Sequence, residues 1–264
     1  MIEVSNLTKK YGDHTALDSV SFKVEKGHIY GLLGPNGAGK STTMNILTGY
    51  IAPSEGSVII NGFDMGLKPH KAKACIGYLP EIPPLYPDMN VYEYLYFASS
   101  IKKVPASKRK DEVARVMALT NIDTVQKRLI KNLSKGFKQR VGIAQALLGE
   151  PEIIILDEPT AGQDYRVYTE IMTFLEELNK VYGITILFIT HDMHLAIEYT
   201  DRALVFSDGQ CISSDNVFKV LSNDEVIEKA NLKQTSLYTL ASRLGLNAQE
   251  FIRHFIETER RGRE

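Results

Sequence analysis

Two hydrophobic rhythms alternate along this chain. Val20, Phe22 and Val24 occupy every second position between Ser19, Ser21 and Lys23, the pattern of a strand buried on one face. The short unbroken apolar runs Ile29 to Leu33, 153–156, 184–189 and 203–206 have the length of strands inside a sheet. The run 57–60, followed by Asn61-Gly62, reads as a strand entering a tight turn. Between these runs the spacing becomes helical. Met44, Leu47 and Ile51 share a face, as do Val91, Tyr94, Leu95 and Ala98 behind the capping box Asn90–Glu93. Val141, Ala144 and Leu148 follow Ser134 in the same way, and Val167, Ile171, Phe174, Leu175 and Leu178 form a longer stripe. Buried strand followed by amphipathic helix, repeated, predicts an α/β fold with a mainly parallel sheet.

The rhythm breaks near residue 80, where PEIPPLYPD places four prolines in nine residues and marks a hinge. Four segments are expected: a β subdomain and nucleotide-binding core over 1–85, an inserted helical subdomain over 86–150, the rest of the core over 151–215, and a helical tail over 216–264. In the tail, Leu237, Leu240, Ala241 and Leu244 make one short apolar face closed by Gly245. Asn247 and Glu250 then cap a last helix with Phe251, Ile252 and Phe255 turned inward, and ERRGRE reads as a solvated end. The tail faces serve either packing on the core or contact between subunits.

Composition narrows the picture. The 264 residues are 44% apolar, enough for a substantial core, and the net charge of −1 gives no basic field for nucleic acid. Cys75 and Cys211 stand far apart without metal-site spacing, so free thiols in a reducing compartment are expected. No signal-peptide pattern opens the chain, and no apolar run approaches the roughly 20 residues that span a bilayer. Work at a membrane would need another chain to cross it.

The chemistry is concentrated in three places. GPNGAGKST, residues 34–42, follows a buried strand and precedes a helical pattern, which is the context a phosphate loop requires. Gly34, Pro35, Asn36, Gly37, Ala38 and Gly39 curl the backbone so that successive N–H groups point at an anion. Lys40 adds charge for the β- and γ-phosphates, Ser41 offers a hydroxyl to Mg²⁺, and Thr42 completes the run. IIILDE ends a strand in Asp157 and Glu158, where a metal ligand and a general base would sit. LSKGFKQR places Ser134 as the N-cap of a helix, whose free N–H groups and dipole favour an anion.

In this order the motifs resemble the ATP-binding subunits of ABC transporters, over about residues 2–215. The resemblance implies a phosphate-loop NTPase core with an N-terminal antiparallel β subdomain, ATP and Mg²⁺ as ligands, and ATPase activity. It also implies that two ATPases pair, with Ser134 and Gly136 of one capping the γ-phosphate held by the other, and that transmembrane permease subunits are partners. The chain would then be cytoplasmic, on the inner face of the membrane. By the same resemblance Tyr11 stacks on adenine, Asp157 holds Mg²⁺, Glu158 activates water, His191 senses the γ-phosphate and Asp164 couples the two sites. There are three departures from the family pattern. Glu81 replaces a glutamine, could ligate Mg²⁺ and adds charge beside Asp157 and Glu158; Lys135 and Phe137 alter the signature; Gln163 replaces an apolar residue.

The two halves resemble different transporters. GPNGAGKSTTMNILTGY, IGYLPE and LSKGFKQRVG look like exporter ATPases for drugs, lipids, polysaccharides or gliding systems. DEPTAGQDY, ITHDMHLAIEYTDRALVFSDGQ and the tail look like energy-coupling-factor ATPases of vitamin and metal importers. The segment 80–110, which should face the membrane partner, favours the exporter reading. A soluble ABC ATPase of DNA repair or translation, an ordinary phosphate-loop kinase or GTPase and a non-hydrolysing binder are the rivals. The single cassette without heptads or a basic patch speaks against the first. The signature and His191 speak against the second, and Glu158 with His191 against the third.

Overall fold

The structure, a computed structural model, describes residues 1–261, so the expected solvated end falls from residue 262 onward outside the described residues. The chain opens with an antiparallel hairpin, β1 (Ile2–Tyr11) and β2 (His14–Val24), whose Val20, Phe22 and Val24 point inward as their alternation predicts. β3 (Ile29–Leu33) is buried at every residue and runs into the glycine loop and α1 (Lys40–Leu47). Here the expectation needs correction. Gly49, at φ 66, ends the helix, so Ile51 lies in the following turn rather than on the helical face. β4 (Glu55–Ile60) then turns through Asn61 and Gly62, both at positive φ, into β5 (Phe63–Asp64).

α2 (Pro69–Ala74) and β6 (Ile76–Leu79) lead to the proline hinge. α3 (Val91–Ile101), α4 (Arg109–Leu119) and α5 (Lys135–Leu147) follow, separated by loops and two 3-10 turns, Asp123–Val125 and Ile130–Asn132. The Asn90–Glu93 capping box is formed in both directions. β7 (Ile153–Asp157), α6 (Tyr165–Tyr182), β8 (Thr185–Ile189), α7 (Met193–Tyr199), β9 (Arg202–Ser207) and β10 (Gln210–Asn216) complete the sheet region. The tail holds α8 (Val217–Leu221), α9 (Asp224–Lys229), α10 (Ser236–Arg243) and α11 (Ala248–Arg261).

Among the described residues the strands make two sheets: an antiparallel one in the order β2-β1-β4-β5 and a six-stranded one in the order β10-β9-β3-β8-β7-β6. In the second sheet all neighbours are parallel except β10 with β9. The pleat sends alternate side chains of β7 to opposite faces. Ile154 and Leu156 join the core beneath α3, α4, α5 and α6, while Ile153 and Ile155 join the core shared with α1 and the antiparallel sheet. This sheet therefore presents the carboxyl ends of β3, β8, β7 and β6 side by side, the edge at which open α/β sheets bind ligands.

A third core, with Leu33, Ile197, Val205, Val217, Val220 and Ile252, seats the tail. Its outer face differs from the expectation at Phe255, which was read as inward. Ala241 and Ile252 are buried, but Leu240, Leu244 and Phe255 remain exposed. α10 has only eight residues, so one narrow stripe reaches the core and the rest of its apolar face stays outside.

Candidate active site

The glycine loop owes its shape to contacts that leave no room for side chains. At Gly34, φ 138, a Cβ would collide with the Phe206 carbonyl oxygen. At Gly39, φ 101, it would stand 2.9 Å from the Ala16 carbonyl oxygen. The loop is thus wedged between β9 and β2. Lys40 is buried, and its Nζ donates to Gly34 O at 2.7 Å and Pro35 O at 2.8 Å, folding the ammonium back over the loop. Burial holds its pKa below the ordinary lysine value, offset by the charges of Glu158 and Asp157.

The strand ends bring the other groups to the loop. One cavity of about 690 Å³ is lined by Tyr11, Asn36, Gly37, Gly39, Lys40, Ser41 and Thr42 together with Glu81, Asp157, Glu158 and His191. That volume lies within the range of small-molecule sites, roughly 300–1,000 Å³. Glu81 follows β6, Asp157 ends β7, Glu158 follows it, and His191 follows β8. Parallel pairing in register therefore assembles residues far apart in sequence. Gly34, Pro35 and Ala38 shape the loop behind the cavity wall. Tyr11 is half exposed at the rim.

Glu158 is the unusual member. It sits at φ 47, a left-handed conformation uncommon for a non-glycine residue. His191 Nε2 stands 3.2 Å from its Oε1 but lacks the alignment of a hydrogen bond, so that buried oxygen has no donor. Burial first, then the charge of Asp157, raises the Glu158 pKa to about 7; Glu81 and Asp192 push the same way and Lys40 opposes them. Asp157 is raised by burial and by Glu81. His191 is lowered by burial and by Lys40. The cavity thus holds a cluster of carboxylates against one buried ammonium. It is an arrangement that improves when further positive charge enters.

Ser41, Asp157 and Glu81 offer hard oxygen donors to the same cavity, the kind that Mg²⁺ takes together with phosphate oxygens and water. Among the described residues no three His, Cys, Asp or Glu side chains could hold a metal unaided. The donor set fits an ion that keeps most of its coordination for phosphate and water.

Ser134, Gly136 and Asp164 are not brought to this cavity. Ser134 is exposed and caps α5 through a 3.3 Å bond from Phe137 N. A Cβ on Gly136 would stand 3.0 Å from Val167, so the first turn of α5 leans on the start of α6. The Lys135 ammonium lies over Gly162. Asp164 caps α6, accepting from Val167 N at 3.0 Å. Buried Gln139 of α5 ties the two regions by donating to the Pro159 carbonyl, next to Glu158, at 2.9 Å.

His14 and Ala16 also line the cavity, which the sequence reading missed. The tight hairpin turn at Gly12-Asp13 pairs His14 with Tyr11, and the docking of that hairpin on the glycine loop brings both to the cavity.

Comparison with known proteins adds an independent view. Residues 17–161 match the family model described as ABC transporter. A Vibrio vulnificus protein, provisionally named an ABC transporter ATP-binding protein, is 39% identical over 100% of this chain and 46% of its own length. A similarly named Enterococcus faecalis protein is 39% identical over 98% of this chain and 46% of its own length. The chain thus spans about half the length of these curated relatives. Among solved structures, cbiO1 of Clostridium perfringens, described as part of the ABC transporter complex cbiONQ, superposes with a TM-score of 0.77 at 32% identity. The superposition covers 93% of this chain and 98% of cbiO1. A dimeric ATP-binding cassette, MJ0796, solved after hydrolysis with ADP and phosphate, gives a TM-score of 0.73 at 27% identity, covering 82% of this chain and 99% of that one.

Proposed function

The chain belongs to the ABC transporter family, and we propose that it binds ATP with Mg²⁺ and hydrolyses it to drive transport, working as one of two paired ATPases attached to permease subunits. The observation that carries this reading is the Glu158 oxygen, buried without a donor in the same cavity as Lys40.

Each residue then has a physical task. The loop N–H groups cradle the phosphates, and Lys40 exchanges the Gly34 and Pro35 carbonyls for β- and γ-phosphate oxygens. Ser41 and Asp157, with Glu81 beside them, would hold Mg²⁺, which supplies charge neutralisation to the phosphates when bound. Glu158 orients a water for in-line attack on the γ-phosphorus and takes its proton. His191, beside Glu158, meets the γ-phosphate. Tyr11 stacks on adenine at the rim. Exposed Ser134 and half-buried Gly136, at the start of α5, close on the γ-phosphate of the second ATPase, and Asp164 lies beside that contact. The dimer seen for MJ0796 supports such pairing. Among the described residues no helix is long and apolar enough to cross a membrane, so the permease would supply the crossing and place this chain on the inner face.

Direction of transport divides the chain. The hinge and the segment 80–110 support the exporter reading. A second reading, an energy-coupling-factor importer, is favoured by the likeness to cbiO1, which covers 93% of the chain against 82% for MJ0796.

The central test is Glu158→Gln. It should lower steady-state ATP hydrolysis by at least about 100-fold, the low end of general-base contributions, while ATP still binds. Turnover near the wild-type rate would remove Glu158 from its role.

A further inference from the structure

Lys9 stands two residues before Tyr11, and nothing so far has used it. Its Nζ lies 5.1 Å from the centre of the Tyr11 ring and donates to the Ala52 carbonyl at 2.8 Å. The placement is constrained. The pairing of β1 with β2 shifts register between Leu7 and Lys9 and again between Lys9 and Lys10. Such irregularities re-aim side chains beside functional sites. The same stretch is pinned to the loop after α1: Ser54 N donates to Thr8 O at 2.8 Å, Lys10 N to Ser54 Oγ at 3.0 Å, and Lys10 Nζ pairs with Glu55 at 3.3 Å. Tyr11 lines the cavity that holds the phosphate loop, whereas Lys9 is absent from its wall. The ammonium covers one face of the ring and leaves the other face to a base.

We propose that Lys9 is a positioning residue for base recognition: its ammonium, anchored on Ala52, fixes the Tyr11 ring and polarises it toward a stacked purine. The idea rests on the reading that Tyr11 stacks on adenine. A cation beneath one π-face draws electron density toward itself, leaving the opposite face better matched to an electron-rich base. It also removes rotational freedom from a half-exposed tyrosine that would otherwise be ordered only when ligand binds. The effect concerns the base alone. Lys9 does not line the cavity, so it is not a phosphate ligand.

That separation gives the test. Dissociation constants for ATP and for inorganic tripolyphosphate, which carries the charge without the base, are measured with Mg²⁺ by calorimetry. The proteins compared are wild type, Lys9→Met, Lys9→Arg, Tyr11→Ala and the double variant Lys9→Met with Tyr11→Ala. Lys9→Met should weaken ATP by roughly 2- to 5-fold and leave tripolyphosphate unchanged. Lys9→Arg, which keeps a cation over the ring, should restore ATP affinity. In the Tyr11→Ala background the Lys9→Met change should have no further effect. Equal weakening of both ligands would make Lys9 a general electrostatic or folding residue and overturn the proposal. Unchanged ATP affinity in Lys9→Met, with Tyr11→Ala still impaired, would overturn the Lys9 role and leave stacking intact. Unchanged ATP affinity in Tyr11→Ala would remove stacking itself, and the Lys9 role with it.

Discussion

The glycine loop after β3 and the helix start at Ser134 both offer backbone N–H groups to an anion in the proposed function, yet they are finished in opposite ways. The loop is wedged between Phe206 and Ala16, and its lysine is buried and bonded to the loop's own carbonyls. The helix start is exposed, capped by a single 3.3 Å bond, and rests on the loop and helix that follow Glu158. Its ties to the strand region run through Gln139 to Pro159 O and Arg140 to Glu170. The difference teaches how labour is divided. Under the proposed function, the site that would hold polyphosphate is built into the sheet, where nothing shifts without breaking the core. The site that would close over another chain's ligand is carried on a helix that presents its donors outward.

The strongest way to break this comparison is to empty the loop. Lys40→Ala removes the buried ammonium and leaves the carboxylates of Glu81, Asp157 and Glu158 without an opposing charge in the cavity. Loss of charged hydrogen bonds worth about 2–3 kcal/mol should raise the ATP dissociation constant roughly 30- to 150-fold, measured on dilute protein. Unaltered affinity would deny the loop its task.

Ser134→Ala should behave differently. Its cap is worth about 1 kcal/mol of stability, and the loop lies elsewhere, so ATP affinity of dilute protein should stay within about 2-fold of wild type. Turnover at concentrations that allow pairing should fall about 10-fold, matching one lost hydrogen bond to a charged group worth about 1.5 kcal/mol. Mixing the two variants sharpens the contrast. A mixed pair joins the intact loop of the Ser134→Ala chain to the intact helix start of the Lys40→Ala chain, restoring one complete site. Activity of the mixture above that of either variant alone is expected, and a simple average would show that each chain is complete by itself.

The two regions were also unequally legible in the sequence. Gly34 to Thr42 and the pair Asp157-Glu158 announce themselves because phosphate geometry dictates both residue type and spacing over a few positions. Ser134 was legible as a cap for the same local reason. Ile51 was misplaced because a single glycine, Gly49, outweighed an unbroken apolar spacing. Phe255 was assigned inward, and the use of the Leu240 and Leu244 face was left open, because periodicity reports that a face is apolar, not whether a partner element covers it. His14 and Ala16 enter the cavity only because the antiparallel hairpin docks against the glycine loop, and no local pattern encodes that docking. The bond from Gln139 to Pro159 likewise joins segments whose meeting is decided by the whole fold.

The smallest expected effect concerns charge, and it probes why the buried end of the comparison needs a ligand at all. In the nucleotide-free, metal-free protein, the Glu158 pKa is raised from 4.5 to about 7, so the folded state holds a proton that the unfolded chain has already lost between those values. Stability contributed by this group is full below the unfolded value and is lost as pH rises through about 7. Glu158→Gln cannot ionise. Its unfolding free energy, from denaturant melts, should match wild type near pH 4.5 and exceed it by a margin that grows up to about pH 8, on the order of 1–3 kcal/mol. Glu81→Gln removes one of the lesser charges acting on Glu158 and should give a smaller gain over the same range. A wild-type advantage at pH 8 would mean that the carboxylate is stabilised in the empty cavity, and that the site does not depend on incoming cations to relieve it.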